Sequence, residues 1–179
     1  IKVPTTAQGN YPFTISFVEE GKYVYKSHSG YAFVVKTNPN VNLVYNASVN
    51  VDESVTITFV LDKDATGNVS VTSRGVTYTA KLVNGSANVT IEGYPVVSAY
   101  SPHISYTGDD RYNVYSDPII ITAHKVTDYN ITASVSNITV DDSEIVNISL
   151  PSDATEDVLV SGNFSNNIYS VKLNNGNAT

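Results

Sequence analysis

An all-β fold, arranged as tandem β-sandwich modules with one complete and two partial, is predicted by three features of this sequence. Blocks of residues recur at a fixed interval of 89 positions. Apolar residues alternate with polar ones at the period of a half-buried strand, and no stretch sustains apolar residues at helical spacing. Turn signals come every eight to twelve residues or so, between runs rich in β-branched and aromatic residues.

The recurrence sets the boundaries. Val51-Asp52, Ser54 and Ala65-Thr66 return as Val140-Asp141, Ser143 and Ala154-Thr155, and the apolar trio Ile57, Phe59, Leu61 returns as Val146, Ile148, Leu150. After a two-residue insertion, Lys81-Leu82, Asn84-Gly85 and Ala87 reappear as Lys172-Leu173, Asn175-Gly176 and Ala178. The same interval places Ile15-Ser16-Phe17 on Ile104-Ser105-Tyr106, Lys22-Tyr23 on Arg111-Tyr112, and Ser27 and Lys36 on Ser116 and Lys125. Residues 37–125 are therefore a complete module, 1–36 the C-terminal part of one, and 126–179 the N-terminal part of another. A period this long marks small domains with their own cores, more than a solenoid of thin repeats.

Taken in order, Tyr11, Phe13, Ile15 and Phe17 alternate with polar residues as one strand, and Glu19-Glu20-Gly21 turns the chain into a second. Thr37-Asn38-Pro39-Asn40 is predicted to be a short, semi-stiff linker, because Pro removes a ladder donor and biases its neighbour to extended geometry. Val55, Ile57, Phe59 and Leu61 face inward with Thr56, Thr58 and Val60 outward. Residues 62–67 form a loop. Val69 to Thr72 pairs with Val76 to Leu82 across Ser73-Arg74-Gly75, and a second hairpin is predicted at Asn84-Gly85, a dipeptide that tolerates positive φ. Pro95 and Pro102 flank a strand centred on Ile104 and Tyr106. Thr107-Gly108-Asp109-Asp110 then leads to a last strand with Ile119, Ile120 and Ile121 as its core. Seven short strands in about 85 residues is the count of an immunoglobulin-like sandwich.

Composition narrows the function. The chain has no Cys, which excludes a disulfide framework and a thiolate metal site. A net charge of -7, with ten scattered Lys and Arg, disfavours nucleic acid as a partner. With no run of eighteen apolar residues, no membrane insertion is expected of this segment. Residues 1–10 lack the regions of a signal peptide. As the chain opens in mid-repeat, it is expected to be a segment of a longer polypeptide, with any signal or anchor outside it. The acceptor pattern Asn-x-Ser/Thr occurs at Asn46, Asn68, Asn84, Asn88, Asn130, Asn137, Asn147, Asn163 and Asn177, nine of nineteen Asn. Chance would give about four, so N-glycosylation is expected at some of them. The competing explanation is that Asn, Ser and Thr suit turns and exposed strand faces.

Three stretches together carry a family resemblance: Asp64-Ala65-Thr66-Gly67-Asn68-Val69-Ser70-Val71, then Tyr78 with Val83-Asn84-Gly85-Ser86-Ala87, then Ser105-Tyr106-Thr107-Gly108-Asp109-Asp110-Arg111-Tyr112-Asn113. In that order and spacing they resemble the prokaryotic Ig-like repeats of large adhesin-like surface proteins of methanogenic archaea. The resemblance covers 37–125 fully and 126–179 as a leading portion, where Glu156 replaces Gly67. It is weakest over 1–36, where Val18-Glu19-Glu20-Gly21 stands in place of Thr107-Gly108-Asp109-Asp110. It implies an extracellular, cell-surface location and a stalk-forming or adhesive role, and brings no catalytic residues.

The residues themselves also assemble no enzyme. His28, His103 and His124 show no metal-ligand spacing, and no phosphate-binding Gly-rich loop is present. No cofactor is expected, calcium being the one candidate. The loop 62–67, the Asn84-Gly85 turn and the turn at 108–110 are predicted to share one pole of the sandwich, facing the linker at 38–40. Asp62, Asp64, Asp109 and Asp110 would there offer the oxygen ligands Ca²⁺ requires, although Asp is equally an ordinary turn residue. The expected function is a structural and adhesive segment of a surface protein or filament. The alternative is a module binding carbohydrate or protein, on a host or cell surface, through loops at one pole, with some of the thirteen Tyr as contact area. Residue 1 corresponds in phase to position 90 and residue 179 to position 88. The partial modules are therefore expected to complement each other, between further copies of the chain or with adjoining modules of a longer one.

Overall fold

The computed structural model describes residues 7–162 and 165–179, and every regular element among them is a β-strand. The chain divides into two compact units, residues 1–125 and 126–179.

The first unit opens with a long hairpin, β1 (Gly9–Phe17) and β2 (Lys26–Val34), paired antiparallel from Gly9 opposite Val34 to Phe17 opposite Lys26. Ten strands follow: β3 (Asn42–Val44), β4 (Ser48–Asn50), β5 (Val55–Val60), β6 (Asn68–Ser73), β7 (Val76–Lys81), β8 (Ser86–Ile91), β9 (Ser98–Tyr100), β10 (His103–Tyr106), β11 (Tyr115–Pro118) and β12 (Ile121–His124). They form three sheets, in the orders β3-β5-β8, β11-β10-β6-β7 and β4-β12-β9. All pairings are antiparallel except β12 with β4, which is parallel.

Alternation builds the core. On β5, Val55, Ile57 and Phe59 are buried while Thr56 and Val60 are exposed; Val69 and Val71 of β6 and Ile104 and Tyr106 of β10 repeat the pattern. These side chains join Val49, Leu61, Leu82, Val89, Ile91, Tyr94, Ile121 and Ala123 in one apolar cluster. Tyr94 stacks on Tyr100 at 3.9 Å between centroids, adding aromatic contact to burial.

The strand assignment needs two corrections. The Asn84-Gly85 dipeptide does make a two-residue turn, with Asn84 at φ 51° and Gly85 at φ 76°, closed by mutual backbone hydrogen bonds of Val83 and Ser86. It does not make a hairpin of β7 and β8. Beyond the turn the chain crosses to the other sheet, and β8 pairs with β5, because Val89 and Ile91 must face the core that β5 already lines. Nor is the last strand continuous. It breaks after β11, and Ile120 is exposed between buried Ile119 and Ile121. At that break the strand leaves β10 and joins β4 and β9. The hairpin at Arg74-Gly75 forms as expected between β6 and β7, with both residues at positive φ.

The second unit comprises β13 (Thr132–Ser134), β14 (Asn147–Ser149), β15 (Asp157–Gly162), β16 (Ser165–Lys172) and β17 (Asn177–Ala178), in a sheet ordered β13-β14-β17 and a hairpin of β15 with β16. Among its described residues the buried apolar ones are fewer: Ile148, Leu173 and Ala178.

Part of the sequence repeat returns in the backbone hydrogen bonds. Leu61 N donates to Gly85 O at 2.8 Å and Leu150 N to Gly176 O at 2.7 Å; Ala65 N donates to Asp62 O and Ala154 N to Pro151 O, both at 2.9 Å. Asp52 and Asp141 both take positive φ, as do Asn84 and Asn175. At the other end, β1 pairs with β2 in the register of β10 with β11: Phe17↔Lys26 against Tyr106↔Tyr115, Ser16↔Ser27 against Ser105↔Ser116, Ile15↔His28 against Ile104↔Asp117.

Candidate functional site

Three turns and the linker meet at one end of the 37–125 module. Thr37 N donates to Arg111 O and Asn113 N to Thr37 O, both at 2.9 Å, while the Asn113 amide donates to Asn38 Oδ1 at 2.8 Å. Asn40 donates its backbone N–H and its side-chain amide to the two Asp62 carboxylate oxygens, at 3.1 and 3.2 Å. The linker is thus tied down along its length, which a sequence reading as a mere joint does not foresee.

Asp109 is the organising side chain. Its Oδ2 accepts from Thr66 N at 2.8 Å and Thr66 Oγ1 at 3.1 Å, and its Oδ1 from Arg111 N at 2.8 Å and Tyr112 N at 2.7 Å. Burial acts to raise its pKa, yet the backbone donors of Thr66, Tyr112 and Arg111 together outweigh burial and hold it far below the usual carboxylate range. Asp64 accepts from the Tyr112 hydroxyl at 2.9 Å and pairs with the Arg111 guanidinium, which lies 5.4 Å from the Tyr112 ring centre. Thr107 Oγ1 accepts from Asn68 N at 3.2 Å. The buried Tyr106 hydroxyl faces this cluster without a completed hydrogen bond, its pKa raised by burial first and then by the Asp109 carboxylate.

The two loop motifs that carry the family resemblance, 64–71 and 105–113, therefore meet and clasp each other. The carboxylates proposed for calcium do not converge as a set. Asp64, Asp109 and Asp110 line an open cavity of about 340 Å³ with Thr66 and Arg111, whereas Asp62 is committed to Asn40. The Asp109 oxygens already accept four donors, and Arg111 brings a positive charge to the same cavity. Among the described residues, no group of three or more His, Asp or Glu is placed to hold a metal ion. This arrangement can anchor turns and present an exposed Asp–Arg rim. Arg111, Thr66 and Tyr112 are the partners that sequence reading missed. The signal was the Asx-turn pattern Asp109-Asp110-Arg111-Tyr112, in which a carboxylate caps the N–H groups two and three residues on.

Of the glycosylation candidates, Asn46, Asn68, Asn84, Asn88, Asn130, Asn137, Asn147 and Asn177 are all exposed, as attachment requires, and Asn163 lies outside the described residues. His103 Nε2 lies 2.9 Å from Ser116 Oγ, a pairing between neighbouring strands β10 and β11. Comparison with protein-family models, with curated proteins and with solved structures gave no match.

Proposed function

We propose that this chain is a structural and adhesive segment of an extracellular surface protein, built from tandem immunoglobulin-like sandwiches and carrying no catalytic site. The observation that carries the reading is the return of the same hydrogen bonds at the repeat interval. A repeated unit with its own core is how a polypeptide gains reach and stiffness without chemistry. The orders β3-β5-β8 and β11-β10-β6-β7 support the immunoglobulin-like assignment, since they correspond to strands A-B-E and G-F-C-C′. Exposed sequons support an exported location, because N-linked sugars are carried on surface loops and strand faces of secreted chains. The linker bonds at Thr37, Asn38 and Asn40 support stiffness at the joint.

Pulling the full chain by its ends tests the reading. The 37–125 module is expected to open in one cooperative step lengthening the chain by about 28 nm, from roughly 3.5 Å per extended residue less the folded span. A smooth extension with no such step would remove the load-carrying role. The exposed Asp64–Arg111 rim favours a second reading, a module that binds carbohydrate or protein at this pole. Binding to a glycan array or to cells that is lost in Asp110→Ala and Arg111→Ala would establish it.

A further inference from the structure

Four of the acceptor tripeptides lie in the complete module: Asn46-Ala47-Ser48, Asn68-Val69-Ser70, Asn84-Gly85-Ser86 and Asn88-Val89-Thr90. All four Asn are exposed, so exposure of the acceptor does not separate them. The middle residue does. Val69 is fully buried, Val89 is 3% exposed and Gly85 is buried, whereas Ala47 is exposed. A glycosyl-transferring enzyme must close around the Asn, the middle residue and the Ser or Thr hydroxyl together. A tripeptide pinned to the core by its centre cannot enter such a site without opening the strand. From this we infer that Asn46 is the residue of the folded module to which an N-linked oligosaccharide is attached. The inference rests on the extracellular reading proposed above and names the modification and its substrate, an oligosaccharide activated as a polyprenyl diphosphate.

The fold explains the difference. β6 is flanked by β10 on one edge and β7 on the other, so the backbone of 68–70 is held from two sides, and Ser70 Oγ lies 2.8 Å from Ser105 Oγ. In the tight turn, Gly85 O accepts from Leu61 N at 2.8 Å and Ser86 Oγ donates to Phe59 O at 3.1 Å. On β8, paired along its length with β5, Thr90 Oγ1 lies 2.9 Å from Thr56 Oγ1. In each of these three the hydroxyl, half of the signal that the enzyme reads, is already engaged. Residues 46–48 are placed differently. β3 pairs with β5 and β4 with β12, so the chain changes sheets after Val44, and residues 45–47 belong to neither strand. β4, which Ser48 begins, is an edge strand of its sheet.

The side chain is also set for transfer. Asn46 Oδ1 accepts from Ser48 N at 3.1 Å, an Asx-turn that fixes the amide and leaves Nδ2 on the side away from the N–H it caps. Among the described residues, neither Asn46 Nδ2 nor the Ser48 hydroxyl has a hydrogen-bond partner. Nδ2 attacks the anomeric carbon of the activated sugar. The N–C bond forms as the C–O bond to phosphate breaks, the Nδ2 proton passes to a base of the enzyme, and polyprenyl diphosphate leaves with the bonding pair.

Transfer in vitro to the folded full chain tests the assignment. The reagents are a single-subunit oligosaccharyltransferase that modifies synthetic peptides spanning each of the four tripeptides, and an N-acetylglucosamine oligosaccharide linked to polyprenyl diphosphate. Mass spectrometry of proteolytic fragments is expected to find sugar added to Asn46 at a rate close to that of its peptide. Addition at Asn68, Asn84 and Asn88 should fall about a hundredfold or more below that of their peptides, because core strands open rarely. Ser48→Ala should abolish transfer at Asn46 and Ser48→Thr should keep it, with the hydrogen-exchange pattern of β5, β6, β8 and β10 unchanged in both. An Asn46 that stays unmodified in the folded chain, or is modified no faster than Asn68, Asn84 and Asn88, overturns the assignment. If that chain still opens in one step when pulled, the modular reading survives the result. Sugar at Asn46 in a chain that shows no such step overturns the modular reading and leaves the attachment site standing.

Discussion

Gly85 shows how one residue fixes a loop. A Cβ built there would lie 2.4 Å from the Asp62 carbonyl oxygen, and the φ of 76° is itself strained for any L side chain. Gly176 repeats the close approach, 2.3 Å from Pro151 O. Gly85→Ala is therefore expected to cost about 2–4 kcal/mol in urea unfolding, from strain plus displacement of the backbone behind it. Tyr106 makes the opposite case. Its buried hydroxyl lies beside the Asp109 carboxylate but outside full hydrogen-bonding geometry, so Tyr106→Phe should change stability by no more than about 1 kcal/mol; the chain itself places Phe17 at the corresponding position. Asp109 brings pH dependence. Its folded-state pKa lies below the unfolded value of about 3.9. Its stabilisation is thus fully in place above that value and is lost as the pH falls toward the folded one. Unfolding curves measured from pH 6 downward should show a steeper acid decline for the wild type than for Asp109→Asn, whose side chain does not titrate.

At the level of elements, β1 and β10 share a pattern and a pairing register but not an environment. β10 is covered on its inward face and flanked on both edges by β6 and β11, whereas among the described residues β1 is paired with β2 alone. The contrast predicts different costs for the same change. Ile104→Ala should destabilise the module by about 2–5 kcal/mol, the transfer and cavity cost of a buried aliphatic side chain. Ile15→Ala, at an exposed site, should stay within about 0.5 kcal/mol. Denaturant titration of the two variants side by side checks it. The same logic explains the broken last strand. β11 and β12 part at Ile119-Ile120, where the chain passes from the edge of β10 to the edges offered by β4 and β9.

Over the whole molecule, apolar burial is uneven. Among the described residues, nearly all the fully buried side chains belong to 49–123, and the second unit contributes Ile148, Leu173 and Ala178 to the buried apolar set. Resistance to opening follows buried contact. Hydrogen exchange on the dilute full chain should find the slowest amides in β5, β6, β8 and β10, with β1, β2 and the strands of the second unit exchanging substantially faster. Uniform protection along the chain would show that resistance to opening does not follow apolar burial here.

The sequence by itself determined the strand-forming pattern, the inward residues of β5, the Arg74-Gly75 turn and the repeat interval. Each of these is local or periodic: alternation follows from the two-residue pleat, and positive φ selects Gly and Asn. Tertiary structure alone decided where β8 goes after Asn84-Gly85, how Ile119-Ile120-Ile121 divides between sheets, and what Asp62, Asp64 and Asp109 bond to. Sequence spacing placed these carboxylates near one pole but gave no account of their donors, because Asn40, Thr66 and Arg111 come from separate segments that only packing brings together. An Asp in a loop carries the same letter whatever it bonds to, and the N–H groups it accepts from belong to whichever backbone folds against it.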